Sequence, residues 1–140
     1  MLLGEFRATH DFTGIPQVDW DAVRILTVAD YWDGPLSGLI DHAGELYWYE
    51  SYFDEELDSY PYPRRCVMAR ISVAASAEEL KWNRLFREKV RNGTLLRPGQ
   101  LQSEYYAAAA QRTPNDFASA PITGWFCLGA EPAGGWLAHF

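Results

Sequence analysis

The order of strand-like and helix-like segments limits the folds open to this chain. Six segments have the apolar alternation or β-branched composition of strands, and only the last follows the helices. These segments are residues 5–12, 23–32, 39–42, 45–51, 66–73 and 122–128. Two helices, over 77–92 and 101–111, are grouped late, which is typical of α+β rather than alternating α/β proteins. We therefore predict a single compact domain, residues 1–140, with a mainly antiparallel sheet of about five or six strands packed on the two helices.

Several of these strands can be placed more closely. Residues 5–12 put Phe6, Ala8, His10 and Phe12 on one side, as a half-buried strand does. Residues 23–32 are apolar on both sides, which favours a position near the centre of the sheet. Residues 33–38 are rich in turn formers and predict a loop. The Ala43-Gly44 pair then predicts the turn of a hairpin.

The helix over 77–92 carries the clearest local signals. Ser76 and Glu79 have the spacing of a capping box, and Asn92-Gly93 supplies a left-handed end. On a helical period, its apolar and aromatic residues gather on one side and its arginines on the other. The first set is Trp82, Leu85, Phe86 and Val90, and the second is Arg84, Arg87 and Arg91. We expect the helix to pack by its aromatic side.

Charge is divided sharply along the chain. The net charge is −7, but residues 25–63 carry nine acidic side chains and no lysine or arginine. Residues 64–97 carry nine basic side chains against three acidic ones. The two segments could pair across one fold and neutralise each other. Alternatively, the acidic segment could face a basic partner.

The acidic segment is also the most aromatic part of the chain. Tyrosine and tryptophan are enriched at interfaces because each joins an apolar body to a polar tip. We therefore predict a non-enzymatic binding protein, of bacterial type, whose acidic surface engages a basic protein partner. The predicted contacts are Tyr47, Tyr49, Tyr52, Phe53, Asp54, Glu55, Glu56, Asp58 and Tyr60. Size and charge suggest an immunity or antitoxin-type protein or a regulatory adaptor, with the oligomeric state left open.

Two other classes of function stay open. Asp30, Asp33 and Asp41 could converge at strand ends as the acids of a small enzyme or ligand-binding protein. Trp32, Tyr47 and Trp48 would then line the pocket. The stripe formed by Arg84, Arg87 and Arg91 could instead bind phosphate or RNA, although the overall acidity disfavours nucleic acid.

Composition excludes several classes. A chain with 48% hydrophobic residues can bury a core, so disorder is excluded as the main state. No apolar run approaches the roughly 18 residues of a membrane span, and no secretory signal is visible at Met1. The two cysteines and three histidines lack the spacing of a zinc site. We expect a cytoplasmic protein with no cofactor and no metal.

Overall fold

Six strands pair into one antiparallel sheet within residues 1–31, 34–91, 116–133 and 136, which a computed structural model of the protein describes. Five strands follow the order β1-β3-β4-β5-β6, and β2 also pairs with β3. The elements in chain order are α1 (Leu3–Thr9), a 3-10 turn (Trp20–Ala22), β1 (Val23–Ile25), β2 (Asp30–Tyr31), β3 (Pro35–His42), β4 (Glu45–Ser51), β5 (Arg65–Ala69), α2 (Val73–Arg91) and β6 (Ile122–Cys127). The predicted α+β class is confirmed.

The hairpin of β3 and β4 forms where the sequence predicts it. His42 pairs with Glu45, which leaves Ala43 and Gly44 as a two-residue turn. Both turn residues have positive φ, at 53° and 80°, as a type I′ turn requires. β3 nevertheless begins at Pro35, so the loop predicted over 33–38 gives way to strand from residue 35 onwards.

The strand predicted over 23–32 is wrong in both its length and its position. Two short strands, β1 and β2, lie at the edge of the sheet and pair with different parts of β3. Between them, the Thr27 side chain is buried, and its Oγ1 accepts a 2.9 Å hydrogen bond from the Leu39 amide. This inward step is possible because Gly38 has no Cβ. A Cβ at Gly38 would lie 2.1 Å from the Thr27 carbonyl oxygen.

The segment of residues 16–25 runs from one edge of the sheet to the other. The Val18 amide donates to the Trp125 carbonyl at 2.7 Å, which places residues 16–18 beside β6. Five residues later, Val23 begins β1 at the opposite edge. Five extended residues span about 17 Å at most, so the sheet must curl to bring its edges this close.

Each face of the curled sheet carries its own apolar cluster. The concave cluster, which residues 18–25 cover, consists of Ile40, Tyr47, Tyr49, Cys66, Met68 and Phe126. The convex cluster consists of Leu3, Phe6, Leu39, Trp48, Val67, Ala69, Phe117 and Ala120. Neighbouring strand residues alternate between the two clusters, as successive side chains of a strand must.

The first element is a helix, so the strand predicted over 5–12 is wrong. Leu3 and Phe6, three residues apart, are both buried on one side of α1. The Leu3 and Gly4 amides, which a helix cannot satisfy itself, donate to the carbonyls of Ala120 and Ala118 at 2.9 and 2.8 Å. His10 ends the helix with a φ of 53°. The alternation over 5–12 could not reveal these distant acceptors.

The second helix begins four residues earlier than predicted. Ser72, rather than Ser76, caps α2, because its Oγ accepts from the Ala75 amide at 3.1 Å. The capping box of Ser76 and Glu79 is therefore wrong, and both side chains lie on the buried side of the helix. Leu85, expected to pack, is 37% exposed. The strand predicted over 66–73 correspondingly ends at Ala69.

The remaining predicted elements have mixed outcomes. β6 confirms the strand predicted over 122–128 to within one residue. The helix predicted over 101–111 lies outside the described residues. No helix in the described part of the chain combines the length and the apolar character needed to cross a membrane.

Candidate functional site

The acidic loop, residues 52–64, joins β4 to β5 and has a tip closed by its own hydrogen bonds. The tip is residues 54–59, where Asp54 and Ser59 exchange backbone hydrogen bonds of 2.9 and 3.2 Å. The Asp54 carboxylate also accepts from the amides of Glu56 and Leu57, at 2.9 and 3.1 Å. The Asp54 side chain therefore stabilises the turn on which the neighbouring side chains are exposed, as aspartate does in many tight turns.

Aromatic side chains anchor the base of the acidic loop. The rings of Phe53 and Tyr60 meet edge to face at 5.0 Å, and the Arg64 guanidinium lies 5.3 Å from the Tyr60 centroid. Tyr52 contacts His10, with 5.1 Å between the ring centroids, and the Arg65 guanidinium lies 5.1 Å from the same tyrosine ring. These three predicted contact residues are half-buried, and their rings bind the loop to the body of the protein.

The outward side of the acidic loop combines carboxylates with two exposed apolar side chains. Glu55, Glu56 and Asp58 are exposed, and none of them forms an ion pair within the described residues. Leu57 is 66% exposed and Tyr62 is 96% exposed. We call these five residues the loop surface. Leu57 and Tyr62 are not among the predicted contacts, although a leucine among acids and a tyrosine between prolines are visible signals in the sequence.

Tyr47 and Tyr49 lie in the concave core and not on the loop surface. Tyr49 is completely buried, and its hydroxyl donates to the Thr27 carbonyl at 3.3 Å. The Tyr47 hydroxyl donates to Glu45 and accepts from Arg70, at 3.0 and 3.1 Å. Because neither ring is exposed, we leave both tyrosines out of the contact surface.

Three acids of β3 and β4, unlike the acids of the tip, form ion pairs with arginines in the described part of the chain. Arg70 donates to Glu45, and this pair joins the basic segment to the acidic one. Arg7 donates to Glu50, whose carboxylate also accepts from the Trp48 indole at 3.0 Å. Asp41 lies 3.7 Å from Arg24. Within the described residues, Arg70 and Glu45 thus form an ion pair that joins the two charged segments, and the acids of the tip form none.

The contact with Arg70 lowers the pKa of Glu45 below its ordinary value of 4.5, and the Tyr47 hydroxyl adds to the effect. Since this pKa is lower in the folded than in the unfolded chain, the contact stabilises the fold above pH 4.5. That contribution is lost as the pH falls through the folded value. An NMR titration of the Glu45 carboxyl carbon should have its midpoint below 4.5, and R70Q should raise the midpoint. An unchanged midpoint in R70Q would contradict the pairing.

Two of the three carboxylates of the alternative enzymatic site, Asp30 and Asp41, lie apart in the sheet. Asp30 pairs with Ser37, whereas Asp41 lies four residues further along β3, about 13 Å away at strand spacing. Asp33 and Trp32 lie outside the described residues. Tyr47 and Trp48 pack in opposite clusters, so they cannot line one pocket. Within the described ranges, no group of three or more histidine, cysteine or acidic side chains could hold a metal ion.

The buried cysteine also lacks the properties of a nucleophile. Burial raises the pKa of the Cys66 thiol to about 12, against a smaller opposing effect of its hydrogen bond with Ser51. The two side chains are 3.3 Å apart at Sγ and Oγ. A thiol with so high a pKa is protonated at neutral pH and reacts poorly as a nucleophile.

The arginine stripe falls on one face of α2. Positions 84, 87 and 91 are three and four residues apart within a helix that runs to Arg91. Arg84 is exposed, and the side chains of the other two lie outside the described residues.

Comparisons with protein-family models, curated proteins and solved structures found no match to this chain. Among the three predicted sites, the acidic loop has the largest number of described, exposed side chains, and hydrogen bonds of its own hold its tip.

Proposed function

We propose that this protein is a non-enzymatic binding protein that engages a basic surface of a protein partner through its acidic loop. One observation carries the proposal. The tip is closed by its own hydrogen bonds and presents, around an exposed leucine, three carboxylates that form no ion pair with any described residue. Glu45 and Glu50 of β4, by contrast, form ion pairs within the fold.

The closed tip favours binding because little order has to be gained when the partner arrives. Ordering an interface side chain costs about 0.5–1.5 kcal/mol, and a loop fixed in advance avoids part of this cost. Leu57 and Tyr62 would supply apolar contacts that lose water on binding. Glu55, Glu56 and Asp58 would accelerate encounter with a positive surface.

The loop surface also specifies what its partner should offer. An apolar recess is needed for Leu57, with lysines or arginines around it for the three carboxylates. A basic effector neutralised by an immunity or antitoxin-type protein would have this chemistry, and that narrower class is our proposal from size and charge.

Charge reversal in the acidic loop should weaken binding of the partner. We expect the variant E55K/E56K/D58K to recover at least about tenfold less of the partner than the wild type in cross-linked pull-downs from native lysate. The matched control E5K/D21K/E131K has the same change of charge at three other exposed acids. This control should recover the partner normally, and salt should weaken the wild-type interaction. Equal recovery of the same proteins by both variants would contradict the proposal.

A further inference from the structure

The outward face of α2 combines exposed apolar residues with basic ones. Positions 73, 77, 80, 84, 87 and 91 follow a spacing of four and three residues, which keeps them on one side of a helix. The first half of this stripe is apolar, with Val73 88% and Leu80 39% exposed. Its second half consists of arginines, of which Arg84 is exposed. We call these six positions the helix stripe.

Exposed apolar side chains concentrate on α2 and on the loop surface. Among the described residues, the large exposed hydrophobics are Met1, Leu2, Leu57, Tyr62, Val73, Leu80 and Leu85. All but the first two lie on the loop surface or on α2. Exposed apolar groups that gather in this way mark contact sites more often than isolated ones do.

The loop surface and the helix stripe are complementary in charge and in apolar character. The loop offers Leu57 between Glu56 and Asp58, and the stripe offers Leu80 one turn before Arg84, with the exposed Lys81 about 100° further around the helix. Leu80 and Arg84 are separated by about 6 Å along the helix axis. The side chains of neighbouring loop residues can span a similar separation, so a leucine and a carboxylate of the loop can contact both at once. Leu57, Leu80 and Arg84 are all exposed in the single chain, so the loop does not cover the described part of the stripe of its own copy.

We propose that the tip of one copy docks on the helix stripe of a second copy. Reciprocal docking around a twofold axis would use both surfaces of each chain and form a closed dimer. The inference rests on the proposed function, since it uses the same loop surface. It adds that self-association and capture of the basic partner compete for that surface.

The full chain should therefore associate in a manner that depends on concentration and salt. We expect the average mass in sedimentation equilibrium to rise from monomer towards dimer between about 1 and 500 μM protein. Raising NaCl from about 0.05 to 0.5 M should weaken the dimer at least tenfold. A wild-type chain that stays monomeric throughout would overturn the inference, whereas partner capture would be unaffected by that result.

Charge exchange tests the two surfaces directly. The loop variant E56K/D58K and the helix variant K81E/R84E change the charge by equal and opposite amounts, and each should be monomeric alone. An equimolar mixture of the two variants should associate. The basic loop of the loop variant then meets the acidic stripe of the helix variant, and the unchanged loop and stripe meet each other. The variant E5K/D21K, with the charge change of the loop variant, should dimerise like the wild type. A dimer that survives either reversal, or two reversed variants that do not associate when mixed, would contradict this docking.

Discussion

Replacing Gly38 with alanine is expected to destabilise the protein by about 3–5 kcal/mol. Gly38 has a φ of +155°, which side chains rarely adopt, and its new Cβ would lie 2.1 Å from the Thr27 carbonyl oxygen. Relieving that overlap requires moving backbone, which would disturb the buried hydrogen bond from the Leu39 amide to Thr27. Loss of that bond would add about 1–3 kcal/mol to the backbone strain. The midpoint of urea unfolding measures the effect.

Gly44→Ala is the matched control for this prediction. Gly44 also has positive φ, at +80°, but nothing lies within 4 Å of the position that its Cβ would occupy. Only the backbone penalty of about 1–2 kcal/mol should remain. If both variants unfold at the same urea concentration, Thr27 does not approach Gly38 as described.

Replacing Tyr49 with alanine should also destabilise the protein by about 3–5 kcal/mol. Tyr49 is completely buried in the concave cluster, where its ring contacts Phe126 with 6.2 Å between centroids. Truncating a large aromatic side chain in such a place removes apolar burial and leaves a cavity. Thermal unfolding followed by circular dichroism would measure the loss.

Tyr62→Ala is the same substitution on the surface. Because Tyr62 is 96% exposed, the change should alter the free energy of unfolding by no more than about 0.5 kcal/mol. It should instead reduce recovery of the partner, since Tyr62 belongs to the loop surface. If Tyr49→Ala left stability unchanged and reduced partner binding alone, the division between core and contact surface would be wrong.

The β3–β4 hairpin could be predicted because its signals are local. Ala43 and Gly44 lie between two apolar runs, and a two-residue turn with positive φ fixes the pairing of both strands. The acidic loop could be located in the same way, since the prolines at 61 and 63 exclude a central strand. These signals act within a few residues, and the fold class follows from them.

The composition of the contact surface could not be predicted in this way. Tyr47, Tyr49, Tyr52 and Tyr60 have the same chemistry in the sequence, but strand position and ring contacts bury or half-bury all four. Glu45 and Glu55 are both acids of one segment, but among the described residues only Glu45 contacts an arginine, 25 residues away. Which side chains remain exposed depends on such distant contacts, and periodicity does not encode them.

The sequence by itself determined the α+β class, the central hairpin, the last strand and the place of the acidic loop. Tertiary structure decided that residues 3–9 are helical, because carbonyls at 118 and 120 accept the first amides of that helix. It also decided that residues 23–31 break into two edge strands, because Thr27 fits against a glycine eleven residues later. In both places a contact between distant parts of the chain outweighed the local pattern. Such a contact stabilises one conformation only after the rest of the sheet has formed.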